Sequence, residues 1–202
     1  MTADPADIPA RKRALRAAAV ERRRLAHGAM AEEAARRVRA AFLARLLPPP
    51  GTVVSAFWPM GDEIDLRPLL DALHAAGRAL ALPVVAGRGE PLEFRRWRPG
   101  EVLEPGVFGT LHPAAAAPAV RPSLLLVPLL AWDRRGYRLG YGGGYYDRTL
   151  ARLRADGGGA VTAVGVGYAA QEVEAVPHDG RDERLDVMLT EEGVLEIDGT
   201  GS

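Results

Sequence analysis

After residue 51 the chain carries short β-rich runs at 52–57, 79–85, 92–97, 123–130, 161–167 and 186–190, and several are apolar almost throughout. A strand with water on one side alternates apolar and polar residues, whereas a continuously apolar strand is covered on both faces. Helical segments at 66–76 and 145–154 separate these runs, which is the pattern of parallel strands joined by crossover helices. Ahead of them Leu15, Ala19, Leu25, Met30, Ala34, Val38, Phe42 and Leu46 recur at roughly helical spacing among strong helix formers. Pro48-Pro49-Pro50-Gly51 then ends that helix. The expectation is an α/β fold: a three-layer, open, mostly parallel sheet with helices on both faces and a long N-terminal helix.

With 202 residues and 48% hydrophobic content, one catalytic-size domain over residues 11–198 is expected, with flexible ends at 1–10 and 199–202. Basic and acidic residues balance at 26 each, so no global field favours nucleic acid or an anionic membrane, and any anion site must be local. The absence of cysteine excludes disulfides, a thiolate nucleophile and cysteine-ligated zinc, and it fits a reducing, cytoplasmic setting. The longest apolar run, near 124–132, is too short to cross a bilayer, and the charged N-terminus is unlike a secretory signal. His27, His74, His112 and His178 have no metal-ligand spacing, and the three serines form no nucleophile elbow. A monomer is expected.

The segment from Val127 to Asp147 runs from a buried strand through a glycine-rich loop into a helix. Gly140, Gly142, Gly143 and Gly144 let backbone N–H groups approach an anion, and the helix that follows presents its positive end. Arg138 and Arg148 flank the loop. Four glycines are equally able to serve a tight turn with no ligand. A P-loop is excluded because Tyr145-Tyr146 stands where Lys-Ser or Lys-Thr is required, and the glycine spacing and late position do not suit a dinucleotide fold. Asp147 reads either as a magnesium carboxylate beside phosphate or as an acidic first-turn residue favoured by the helix dipole.

Arg138-Leu139-Gly140-Tyr141-Gly142-Gly143-Gly144-Tyr145-Tyr146-Asp147-Arg148 closely resembles the signature of the 5-formyltetrahydrofolate cyclo-ligase family, also called methenyltetrahydrofolate synthetases. The resemblance extends to Lys12-x-x-Leu15-Arg16, to Asp62-Glu63-Ile64-Asp65 and to the segment 177–190. It implies ATP and Mg²⁺ as cofactors and 5-formyltetrahydrofolate, with or without a polyglutamate tail, as substrate. By that resemblance Lys12, Arg16 and residues Arg138, Leu139, Gly140, Tyr141, Gly142, Gly143, Gly144, Tyr145 and Tyr146 hold the nucleotide. Trp58 and Glu63 receive the pterin, Asp147 and Asp186 bind magnesium, and Tyr145, Tyr146 and Arg138 serve the chemistry. Lys12 is the sole lysine beside 25 arginines, so an ammonium persists where the family uses one. It is also one of 11 basic residues in 11–45, which leaves a solvated helix face as the alternative. Asp65 is read as a cap for the helix near Leu66, and Asp186 also as a strand-start residue paired with Arg184 or Arg181.

Leu66, Arg181 and the Gly109-to-Pro113 segment depart from the family pattern. Two rival classes stand beside the enzyme. A non-catalytic nucleotide sensor would not need Glu63, Trp58 and two acidic residues together. An RNA binder would interleave aromatics with the basic residues, yet Phe42 is the only aromatic of that helix.

Overall fold

A computed structural model describes residues 7–197; residues 1–6 and 198–202, which hold most of the expected flexible N-terminus, the last residue of the expected domain and the whole expected tail, lie outside the described residues. Helix α1 (Ile8–Arg45) begins three residues before the expected start, with Pro9 in its first turn where a missing N–H costs nothing. It leaves helical geometry once, at Met30 (φ −151°, ψ 24°). The chain continues through β1 (Val53–Ser55), α2 (Arg67–Ala75), β2 (Ala79–Val85), β3 (Leu92–Trp97), β4 (Leu103–Pro105) and β5 (Leu111–Pro113). It then forms β6 (Leu124–Pro128), β7 (Ala131–Trp132), β8 (Arg138–Leu139), α3 (Tyr145–Ala155), β9 (Thr162–Val166), β10 (Val187–Thr190) and β11 (Gly193–Glu196).

Seven strands form one sheet in the order β11-β10-β9-β6-β1-β2-β3. β10, β9, β6, β1 and β2 are parallel neighbours, and β11 and β3 close the two sides in antiparallel pairing. The pairs β4–β5 and β7–β8 are separate two-stranded ribbons.

Side-chain alternation explains why the central strands are apolar at every position. Leu124 and Leu126 of β6 join Val54, Leu80, Leu82, Val164 and Leu189 on one face, under Phe42 of α1 and Leu69 and Leu73 of α2. Leu125 and Val127 point the other way, where Ala81, Ala163 and Met188 meet Leu150 and Leu153 of α3. Both faces therefore exclude water, as a parallel sheet requires. Leu66, one of the departures, is fully buried in the first of these layers, a place an apolar side chain suits better than a hydroxyl.

The order reverses between β1 and β6: from β1 the chain steps to β2, and from β6 it steps the opposite way to β9 and β10. The carboxyl ends of such a pair open a crevice, and this is where open α/β sheets take ligands. The loop after β1 carries residues 56–66, and the segment after β6 leads to the glycine loop. Among the described residues no helix is long and apolar enough to cross a membrane.

Candidate active site

The first half of α1 extends beyond the sheet layer and lies over the segment that follows β6. Ala19 and Leu15 pack with Leu130, Ala131, Leu139 and Val176 in a small apolar cluster of their own. That packing fixes one face of α1, and the polar residues Lys12, Arg16 and Arg23, at offsets of four and eleven, follow the same stripe toward the glycine loop. Arg16 Nε donates to the Gly140 carbonyl at 2.9 Å. Arg23 donates through a terminal guanidinium nitrogen to the Tyr141 hydroxyl at 2.6 Å. Lys12 Nζ is held by both carboxylate oxygens of Asp182, at 2.6 and 2.7 Å.

The loop itself is shaped for an acceptor-rich ligand. Gly142 (φ +101°) and Gly144 (φ +64°) occupy left-handed backbone, and a Cβ on Gly142 would meet the Arg16 guanidinium at 3.2 Å. Gly144 caps α3 without any side-chain bond. Among the described residues the N–H groups of Gly142, Gly143 and Gly144 find no protein acceptor. Free amides at the positive end of an 11-residue helix form a cradle for phosphate oxygens.

At the head of α3, Asp147 Oδ1 accepts from an Arg138 guanidinium nitrogen at 2.7 Å and from the Glu183 N–H at 3.2 Å. Arg138 also donates to the Glu183 carbonyl and is buried, so its charge serves Asp147 first and the expected phosphate contact second. The first-turn reading and the metal reading of Asp147 are compatible, because both observed bonds fall on one carboxylate oxygen. A cavity of about 570 Å³ is lined by Tyr137, Arg154, His178, Asp182, Glu183 and Arg184 among others, and its lining includes neither Asp147 nor the glycine loop. Tyr137 and His178 stack there with ring centroids 3.5 Å apart.

Asp186 is not brought to Asp147. Its Oδ2 accepts from the Ala163 N–H at 2.7 Å and from Arg154 at 3.0 Å. Ala163 lies at the start of β9 and Arg154 in the last turn of α3, whereas Asp147 lies in the first turn of α3. The helix runs between the two sheet edges: Thr149 Oγ1 accepts from Leu92 N–H beside the carboxyl end of β2, and Leu153 carbonyl accepts from Arg121 ahead of β6. Asp186 sits at the strand start and bonds Arg154, an arginine other than the Arg184 or Arg181 expected there. Among the described residues no group of three or more histidine, aspartate or glutamate side chains could hold a metal by itself. A magnesium ion bound with phosphates needs only one or two protein carboxylates, and Asp147 alone fits that demand.

On the β1 side Glu63 is buried, with Oε2 accepting from the Met60 N–H at 3.0 Å and Oε1 3.6 Å from Arg23. Burial pushes its carboxyl above the usual glutamate value, against the Met60 bond and the Arg23 charge. Burial raises the Tyr146 hydroxyl above its usual value, the Glu63 charge raises it further, and Arg138 opposes. Tyr145 packs between the Phe108 ring (centroids 6.3 Å) and Arg148, which lies 5.2 Å over its face. Trp58 sets its ring edge-to-face on Trp97 at 5.5 Å, with Arg67 6.0 Å from it, so much of its surface is already packed. Asp65 accepts the N–H of Arg67, the first residue of α2, at 2.9 Å from one position ahead of the N-cap, which is Leu66 and has no side-chain cap bond. Arg181 pairs with Asp179 at the surface, and His112 Nδ1 lies 2.9 Å from the Pro113 carbonyl.

Two of these partners were not singled out from the sequence. Arg23 was legible in principle from its helical spacing with Lys12 and Arg16, but it stands among eleven basic residues in that stretch. Asp182 as the Lys12 partner is 170 residues away in the chain and left no local signal.

Comparison with known proteins identifies the family and the fold. The family model described as "5-formyltetrahydrofolate cyclo-ligase family" matches residues 8–191. A 5-formyltetrahydrofolate cyclo-ligase of Mycolicibacterium smegmatis is 36% identical over 137 residues, covering 64% of this chain and 70% of the relative. The Escherichia coli enzyme of the same name is 32% identical over 151 residues, 71% of this chain and 80% of its own. Among solved structures, the Aquifex aeolicus 5,10-methenyltetrahydrofolate synthetase superposes with a TM-score of 0.76 at 28% identity, covering 95% of each chain. With the basic helix, the acidic turn after β1, the glycine loop and the closing acidic segment all inside the matched span, the chain belongs to the 5-formyltetrahydrofolate cyclo-ligase family.

Proposed function

We propose that this protein converts 5-formyltetrahydrofolate to 5,10-methenyltetrahydrofolate with consumption of ATP and release of ADP and phosphate. The observation that carries the reading is the meeting of two different sites at one crevice. Arg23 of α1 joins them: one guanidinium nitrogen donates to the Tyr141 hydroxyl of the glycine loop and another stands 3.6 Å from Glu63 in the turn after β1. A nucleotide sensor needs the first half of that crevice and not the second.

An N-formyl amide is a poor electrophile, and its oxygen must leave before a neighbouring nitrogen can replace it. Transfer of the γ-phosphoryl group to the formyl oxygen gives an N5 iminium phosphate; N10 attacks that carbon, its proton is lost, and phosphate departs. The amides of Gly142, Gly143 and Gly144 would take phosphate oxygens, with Arg16 and Lys12 beside them. Lys12 would exchange one Asp182 oxygen for phosphate. Asp147, oriented by Arg138 and the Glu183 N–H, would hold magnesium, which offsets phosphate charge during transfer. Glu63 would accept pterin N–H groups, and Tyr145 and Tyr146 would orient the formyl group and keep water out. The substrate supplies its own nucleophile in N10, so no protein nucleophile is required.

Mixing the protein with Mg-ATP and 5-formyltetrahydrofolate is expected to produce methenyltetrahydrofolate absorbance that vanishes when magnesium is withheld. ATP binding with no absorbance change would favour the sensor instead.

Gly142→Ala tests the cradle. A side chain at φ +101° costs about 1–2 kcal/mol, and its Cβ presses on Arg16. ATP affinity measured by calorimetry should fall about tenfold while 5-formyltetrahydrofolate affinity is little changed. Equal weakening of both ligands would show that the loop has collapsed generally.

A further inference from the structure

Arg23 is the exception among the basic residues of α1: it is 6% exposed, while most of the others face solvent. Its guanidinium donates to Tyr141, but Nε and the NH1 nitrogen are buried without a hydrogen-bond acceptor. NH1 instead stands 3.6 Å from Glu63 Oε1, within ion-pair reach and beyond a hydrogen bond. A buried cation with unmet donors is expensive, and an apolar side chain of the same volume would stabilise this position better. Arg23 therefore serves something other than the stability of the fold.

The groups that face Glu63 identify that service. Arg23 of α1 stands within ion-pair reach of Glu63 and the Met60 N–H of its own turn donates to that carboxylate, while the Tyr141 and Tyr146 hydroxyls of the glycine loop and α3 feel its charge. Among the described residues Arg23 is the one side chain ion-paired with Glu63. Without that positive charge, burial would favour the neutral acid, and a neutral carboxyl accepts paired N–H bonds poorly.

We propose that Arg23 is a positioning residue for the reaction: wedged between Glu63 and Tyr141, it holds Glu63 as an oriented carboxylate ready for the pterin N–H groups. The proposal rests on the reading that Glu63 receives the pterin. Arg23 acts through Glu63 and need not touch the reacting atoms.

The experiment is the pH dependence of 5-formyltetrahydrofolate affinity, by calorimetry, in wild type, Arg23→Gln and Arg23→Lys, with folding checked by circular dichroism. In Arg23→Gln the acidic limb moves to higher pH, so that below it affinity drops about tenfold per pH unit while the alkaline plateau approaches wild type. Arg23→Lys keeps the charge but cannot span both partners, and its limb moves by less. An affinity loss equal at every pH, or an unchanged profile, overturns the proposal. Should Arg23→Gln not fold, Arg23→Lys decides, because an unmoved limb there is equally fatal. Glu63→Gln binding the folate as wild type does would instead sink the reading on which the proposal rests.

Discussion

Asp147→Ala is expected to lower the rate of methenyltetrahydrofolate formation by about 10²–10³-fold, the usual effect of removing one fixed electrostatic contributor from a transition state. The carboxylate heads α3 beside the free amides of the glycine loop, where it would hold magnesium against the nucleotide phosphates. A second consequence is structural. Arg138, its partner at 2.7 Å, has a side chain only 5% exposed and would be left with an unbalanced charge. Breaking a buried ion pair costs about 3–5 kcal/mol, and the 25% exposure of Asp147 brings the expected loss toward about 2 kcal/mol. Thermal melting separates the two effects. Asp147→Asn preserves an acceptor for Arg138 and should recover much of the stability while remaining defective, with the magnesium concentration needed for half-maximal rate raised. An Asn variant with wild-type magnesium dependence would remove Asp147 from the metal role.

Glu63→Gln should weaken 5-formyltetrahydrofolate binding by about 10- to 150-fold, the range for loss of a hydrogen bond to a charged group, with ATP affinity nearly unchanged. Its stability signature has a definite sign. Burial sets the folded carboxyl of Glu63 above its unfolded value. The native state then holds that proton more tightly, so this contribution to stability is greatest at low pH. It declines as pH rises from the ordinary glutamate range through the raised folded value. Glutamine does not titrate, and the decline should be absent from its melting profile. Substrate affinity moves oppositely in wild type, rising over the same window as the accepting carboxylate forms. A Glu63→Gln protein that binds the folate normally would contradict the assignment.

Much of the architecture follows from local pattern. The strands at 79–85 and 92–97 and the helix starting at Tyr145 fall where composition and punctuation place them. The short ribbons β4–β5 and β7–β8 and the edge strand β11 do not, because two to four residues cannot display a period and their pairing comes from neighbouring segments. The same limit applies within the site. The glycine loop and the carboxylate of Asp147 just after it are visible by residue type and spacing, whereas Glu63 is singled out only by the family resemblance. Spacing says nothing about which edge of a sheet a residue occupies, and Asp186, drawn from a segment of the family pattern, sits at the amino end of β10, bonded to Ala163 and Arg154.

The sequence by itself determined the fold class and the glycine loop that heads α3, because apolar periodicity and glycine backbone freedom act over a few residues. Only the tertiary structure decided the partners. Arg16 meets Gly140 across 124 residues, and Arg23 meets Tyr141 across 118, once Ala19 and Leu15 are buried against Leu130 and Leu139. Burial alone then separates Arg23 from the solvated arginines around it, since a charge screened in water is felt more strongly by its neighbours when water is excluded.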